Sequence, residues 1–307
     1  MRLSALLLLA VIGAHAATFS VTIAGLGGAP EYETQFEKWA AALDQELRGN
    51  GPAMQVVTLS GPSATRARME QALSGVAAQA RSDDAFALFL IGHGSFDGTD
   101  YKLNLPGPDV TAAELASWLN RISARRQLVV NMTSCSGASL AALARKDRIV
   151  ITATKSGNEK NATVFARYWV DALRDPAADT DKNGEVSALE AFRYAERKTA
   201  AYFESEKLLA TEHPMLTDTG SANASRDPKL ENGQGVLASA FPLIRPQASE
   251  VGNVAPEKQK LFAKKEDLEA RIDRLKYQKA AMAPDDYKQQ LTALLLELAR
   301  TQAEIDR

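Results

Sequence analysis

Three features of the sequence predict an α/β fold with a mostly parallel central sheet and helices on both of its faces. Strand-like and helix-like segments alternate from Thr18 to Leu173, as in a chain of strand–helix–strand units. Ala85 to Ile91 (AFALFLI) has no polar residue, the pattern of a central parallel strand covered on both sides. Short turns of small residues follow the apolar runs, Gly92-His93-Gly94 after one and Thr133-Ser134-Cys135-Ser136-Gly137 after another. In such sheets the carboxyl ends of the strands are where ligands and chemistry gather.

The elements follow in order. Thr18 to Ala24 (TFSVTIA) is β-branched and alternates, so it reads as a strand ending in the turn Gly25-Leu26-Gly27-Gly28. Glu31 to Leu47 places Phe36, Trp39, Ala40 and Leu43 on one helical face and stops at Gly49-Asn50-Gly51. Met54 to Leu59 reads as a strand, and Ser63 to Ala80 as a helix capped by Ser63. After the strand at 85–91 come a helix at Thr111 to Ile122, a strand at Gln127 to Met132 and a helix at Ala138 to Ala144. A strand at Arg148 to Ala153 and a helix at Asn161 to Leu173 complete the alternation.

Residues 1–16 read as a secretory signal peptide. Arg2 forms the n-region, Leu3 to Gly13 the apolar stretch and Ala14-His15-Ala16 a small-x-small cleavage site. The apolar stretch is far shorter than the ~20 residues a membrane helix needs, and no later segment qualifies. The expected destination is the periplasm or the medium of a bacterium, an oxidising place where cysteines are normally paired or absent. This chain has a single cysteine, Cys135. An unpaired thiol there is a liability unless it is buried or working. The formal net charge of −2 over 307 residues argues against nucleic acid as a partner, and no organic cofactor is expected.

Cys135 and His93 are therefore the leading catalytic candidates. Each lies in a small-residue turn where an apolar strand ends, an arrangement suited to holding a thiol beside an imidazole. His93 would accept and return the proton. Gly94 permits close approach of a carbonyl, and its N–H is a candidate oxyanion donor. Cys135 precedes a predicted helix, whose dipole would favour the thiolate, and its own N–H is a second candidate donor. Once residues 1–16 are set aside, His213 is the only other histidine; it precedes Pro214 and reads as a loop residue.

An apolar strand, His-Gly, and a second apolar strand ending in Cys-x-Gly resemble the caspase–legumain clan of cysteine peptidases. The two residues are 42 apart, a little short of the roughly 50 of caspases. Ser134 to Ser139 (SCSGAS) is closer to the legumain-like (peptidase C13) branch, and Ile151 to Gly157 (ITATKSG) resembles the segment bordering its specificity pocket. The resemblance covers about residues 18–206. It implies a caspase-like three-layer sandwich, a His93–Cys135 dyad, and hydrolysis of peptide bonds through a thioester acyl-enzyme, with Gly94 as oxyanion donor. Asn131-Met132-Thr133-Ser134 departs from the approach to the cysteine in legumains, and nothing matches the residues that give them asparagine preference. Exported relatives without the nucleophile exist in this family, so the alternative is an inactive caspase-fold binding or scaffold protein.

Residues 179–190 (DTDKNGEVSALE) fit the twelve-residue calcium loop of an EF-hand. Asp179, Asp181, Asn183, Ser187 and Glu190 supply side-chain oxygens, Glu185 its backbone carbonyl, and Gly184 the sharp turn. A single loop of this kind implies structural or modest-affinity Ca2+ in an exported protein.

Beyond a catalytic domain at 17–209, residues 210–256 read as an irregular segment or linker in which 235–244 can add an edge strand. Residues 257–307 read as a helical hairpin. Leu261, Leu268, Leu275 and Met282 mark its first helix, and Tyr287, Leu291, Leu294, Leu298 and Ile305 its second. It would pack back on the chain or serve as an arm for a partner or a second copy. The expected substrate is a protein or peptide.

Overall fold

The computed structural model describes residues 16–51, 54–244 and 282–305, with separate positions between 258 and 275. The predicted signal peptide lies outside the described residues but for Ala16, as do 245–256 of the expected linker. In chain order the elements are β1 (Thr18–Ala24), α1 (Pro30–Gly49), β2 (Met54–Leu59), α2 (Arg66–Gln79) and β3 (Ala85–Gly92). Next come β4 (Gly94–Phe96), β5 (Tyr101–Leu103), β6 (Val110–Thr111), α3 (Ala112–Leu119), β7 (Arg126–Thr133), α4 (Leu140–Leu143), β8 (Arg148–Thr152) and α5 (Phe165–Ala172). The last are β9 (Val186–Ser187), α6 (Ala188–Ser205), β10 (Met215–Thr217), α7 (Val236–Ser239), β11 (Pro242–Ile244) and a C-terminal helix, Pro284–Ile305.

Strand alternation builds three layers. The central sheet runs β2-β1-β3-β7-β8-β10, parallel throughout except for the edge pairing of β10 with β8. Successive residues of a strand point to opposite faces. Accordingly Ala87, Phe89 and Ile91 share a buried cluster with Phe36 and Trp39 of α1 and with Phe165 and Trp169 of α5. Phe86, Leu88 and Leu90 share the other with Met69 and Leu73 of α2 and Leu115 and Leu119 of α3. All eight residues of β3 are buried, as its unbroken apolar run predicts. The fold is thus the α/β sandwich with a mostly parallel sheet expected from the sequence.

The connections locate the switch point of the sheet. The chain leaves β1 for β2 through α1 on one face. It then returns through α2 on the other face, over β1, to reach β3. Strand order therefore reverses between β1 and β3, the place in open α/β sheets where ligands gather at the carboxyl ends. The β1–α1 turn and the residue after β3, His93, flank that point.

Several local expectations change. Helix α2 starts at Arg66 and is capped by Thr65, whose side chain accepts from the Arg68 N–H, not by Ser63, which falls in a 3-10 turn at Gly61–Ser63. The predicted helix after Cys135 is a 3-10 turn, Ser136–Ser139, followed by the single turn of α4. Strands β4 to β6 form an antiparallel meander between β3 and α3, and they carry too few residues for a periodicity to show.

Parts of the described stretch 210–244, expected to be irregular, join the core. Strand β10 closes the central sheet, and Ala238, Phe241, Leu243 and Ile244 join the cluster beneath α1 and α5. Strand β11 pairs with β9 and not with the central sheet. Near the C-terminus, Leu268, Ile272, Leu275 and Leu294 form their own buried cluster, packed by Met282, Tyr287, Leu291 and Leu298. The two stripes of the predicted hairpin thus face each other. Among the described residues no helix is long and apolar enough to cross a membrane.

Candidate active site

Parallel pairing of β3 with β7 sets Gly92 opposite Thr133. His93 and Cys135 are therefore one and two residues past the aligned ends of neighbouring strands. The two turns are tied together by Ser134, whose hydroxyl accepts the Gly94 N–H at 3.1 Å and donates to the Gly94 carbonyl at 3.0 Å. Close approach requires the glycine, because a Cβ at Gly94 would meet Ser134 O and a Tyr101 ring carbon at 2.5 Å.

The imidazole of His93 is held by its aromatic neighbours and one carbonyl. Tyr32 and Phe36, on the first turns of α1, meet it edge-on with ring centroids 5.1 and 5.2 Å away. Burial lowers its pKa, and a hydrogen bond to the Gly27 carbonyl partly offsets that. Neutral imidazole with one N–H fixed leaves the second nitrogen as an acceptor, the form a general base needs. The orienting group is thus a backbone carbonyl of the β1–α1 turn. The nearby aspartates are otherwise engaged. Asp97 binds Lys102 and the N–H groups of Thr99 and Asp100, while Asp109 holds Leu105 N–H and Asn104.

Cys135 is buried and takes a left-handed backbone, φ 58° and ψ 6°. That conformation is unusual for a residue with a Cβ and is over-represented at working sites. A buried polar network imposes it. Tyr101 Oη contacts Thr133 Oγ1 at 2.6 Å and Asn131 Oδ1 at 3.2 Å, and Asn131 Nδ2 donates to Ser139 at 3.1 Å. On the far side Ser136 and the Gly137 N–H engage Thr154 Oγ1. Asn131, read in the sequence only as a departure from the family pattern, is a hub of this network.

The surroundings of the thiol differ from those the sequence suggested. Its pKa is raised, not lowered: burial dominates, and the charge of Lys160 offsets only part of it. A 3-10 turn and a four-residue helix supply too little aligned dipole to reverse that. The Cys135 N–H is not open to an oxyanion, since it donates to the Glu159 carbonyl at 2.8 Å. The Gly94 N–H, as noted, donates to Ser134. The lowered imidazole and the raised thiol both favour their neutral forms, and among the described residues no hydrogen bond joins the two side chains.

Sequence reading missed a second polar group beside the cysteine. The Glu159 carboxylate pairs with the His213 ring, accepts the Lys155 N–H at 2.8 Å, and lies 3.7 Å from Lys155 Nζ. Next to it Glu212 is buried and caps α5, accepting from Val164 and Phe165 N–H at 2.8 Å each. Burial pushes Glu212 up to about 8, against those two donors, and Glu159 adds to the rise. Only the scarcity of histidine pointed to this corner of the fold.

The 179–190 loop folds as a tight turn with Lys182 at φ 59° and Gly184 at φ 84°. Carboxylate oxygens of Asp179, Asp181 and Glu190 lie within 4.8 Å of one another. Asp179 accepts from the N–H groups of Asn183 and Gly184, and Asn183 Oδ1 accepts from Glu185 N–H. Ser187 caps α6, and Glu190 closes the capping box through its Oε2 while Thr180 binds its Oε1. Burial raises the Glu190 carboxyl, but the donors of Ser187 and Thr180 outweigh it and hold it below its usual range. Three converging hard oxygens suit Ca2+, and Ser187 serves first as the cap.

No protein-family model and no curated protein matches the sequence. Solved structures that overlay on the chain include a Geobacter sulfurreducens protein from a structural-genomics programme, 15% identical over 66% of this chain and 92% of that one, TM-score 0.44. Caspase-1 of Spodoptera frugiperda overlays with 11% identity, 66% and 87% coverage and a TM-score of 0.46. The Drosophila initiator caspase Dronc does so with 11% identity, 67% and 80% coverage and a TM-score of 0.42.

Proposed function

We propose that the chain is a cysteine endopeptidase that acts outside the cytoplasm of a bacterium, with Cys135 as nucleophile and His93 as its base. The observation that carries this reading is their placement in adjoining turns at the carboxyl ends of β3 and β7, next to the point where strand order reverses. The strained backbone of Cys135 adds to it. His93 takes the thiol proton, the thiolate adds to a peptide carbonyl, and the imidazolium protonates the departing amine. Water, activated by the same imidazole, then releases the acyl group from sulfur. The run Ser134 to Ser139 resembles the motif of the legumain-like branch. Gly94 N–H becomes an oxyanion donor when Ser134 turns away.

Calcium belongs to the same proposal. Asp179, Asp181 and Glu190, with Asn183, the Glu185 carbonyl and Ser187, would hold Ca2+. The ion would supply rigidity at the start of α6 and take no part in the chemistry.

Cleavage of a quenched-fluorescent peptide library by the purified chain tests the reading. Turnover lost in both Cys135→Ala and His93→Ala, with folding intact, is the expected result. Turnover that survives either substitution would sink the dyad. The rival reading, a binding protein on the same fold, is favoured by the raised thiol and predicts no turnover under any condition.

A further inference from the structure

We infer that residues 155–160 are a latched cover over Cys135, held shut by the Glu159–His213 pair, and that they must swing away before the thiol can act. This rests on the dyad reading and adds its regulation.

Both N–H groups best placed for an oxyanion already have internal acceptors. The Cys135 N–H gives its proton to Glu159 O, and the Gly94 N–H to Ser134 Oγ. The first of these acceptors belongs to the 155–160 segment itself. That segment lies directly on the cysteine turn, since a Cβ at Gly137 would stand 2.2 Å from Ser156 N and 2.3 Å from Lys155 C. At its middle, a Cβ at Gly157 would meet the Phe96 ring at 2.2 Å. Two glycines thus let the segment close down between the cysteine turn and the β4 strand. Under it Cys135 is 1% exposed.

The fastening is polar and sits at the rim. Glu159, its side chain only 10% exposed, binds the Lys155 N–H, the His213 ring and the His213 N–H. His213 reaches it from the loop after α6, whose Leu208 and Leu209 are exposed. One residue therefore blocks the nucleophile's N–H with its carbonyl and fastens the cover with its carboxylate. The His213 side chain is 22% exposed, so water reaches the clasp and takes over its hydrogen bonds when the cover opens. Displacement frees the Cys135 N–H and exposes the sulfur together. A peptide substrate laid along the cleft replaces the Glu159 carbonyl with its own scissile carbonyl at that N–H.

The test reads the cover and not peptidase activity. Alkylation of Cys135 by iodoacetamide at pH 7.5 is timed by intact mass in wild type, His213→Ala and Glu159→Ala. Hydrogen exchange of the Cys135 amide is followed in the wild type alone, which needs no variant to fold. Expected are slow alkylation and a protected amide in the wild type, and alkylation at least tenfold faster in both variants. Equal rates within twofold, or a wild-type Cys135 amide exchanging as fast as an open loop, would overturn the latch. Peptide cleavage is scored separately. Faster alkylation without turnover upholds the cover and removes the dyad, whereas turnover with unchanged alkylation removes the cover and leaves the dyad.

Discussion

Cys135 and His93 show how far neighbouring residues decide what a side chain can do. The sequence motif places a thiol and an imidazole at two strand ends, and the structure keeps them there. Burial then moves the thiol up and the imidazole down, which favours the neutral pair. Glu212 carries the same physics to stability. Its folded carboxyl titrates near 8, well above the ~4.3 of an exposed glutamate. The folded chain therefore holds a proton that the unfolded chain gives up at lower pH. Stability from this group is full in acid, and it is lost as pH rises toward and through 8. The slope is at most about 1.4 kcal/mol per pH unit. Thermal unfolding between pH 5 and 9 should show Tm falling with pH. Glu212→Gln should be less stable at pH 5, because one α5 cap is lost, and should show a shallower fall. A wild-type Tm that rises across this range contradicts the assignment.

At the scale of elements, legibility tracked length and period. Helix α1, with Phe36, Trp39, Ala40 and Leu43 on one face, and strand β3, wholly apolar, were readable because each repeats its pattern often enough to be unambiguous. Strands β4, β6 and β10 span two or three residues, so pairing partners far along the chain define them. The cap of α2 moved from Ser63 to Thr65 for a related reason: both residues are good caps, and tertiary packing chose between them. The spacing of the 179–190 loop was legible, and the structure brings Asp179, Asp181 and Glu190 together. Its strand β9 pairs with β11, tying the loop to the end of the core segment. Calcium at a hundredfold excess over its Kd should stabilise the fold by about 2.7 kcal/mol, several degrees of Tm. Asp179→Ala should abolish that gain. A Tm indifferent to calcium and to chelator leaves residues 179–190 as a capped turn.

For the whole molecule, the site follows from topology. Strand order reverses between β1 and β3, and the next strand out, β7, delivers the cysteine. That much was readable from alternating segments and two small-residue turns. The Glu159–His213 clasp was not, since its members are 54 residues apart and lie in loops without period. The apolar stretch ending at Ile244 was legible as a strand, but its pairing with β9 and its place in the core depend on partners far along the chain. The proposed activity requires Cys135 to be a nucleophile that His93 activates once it is uncovered. Labelling with peptidyl acyloxymethyl ketones that vary at the residue before the scissile bond, read by intact mass, tests this most directly. It should be done on wild type, His213→Ala, and His213→Ala with His93→Ala. A single adduct on Cys135, faster in His213→Ala and lost when His93 is removed, is the predicted result. No adduct from any probe in His213→Ala, while iodoacetamide still alkylates the same thiol, would contradict it.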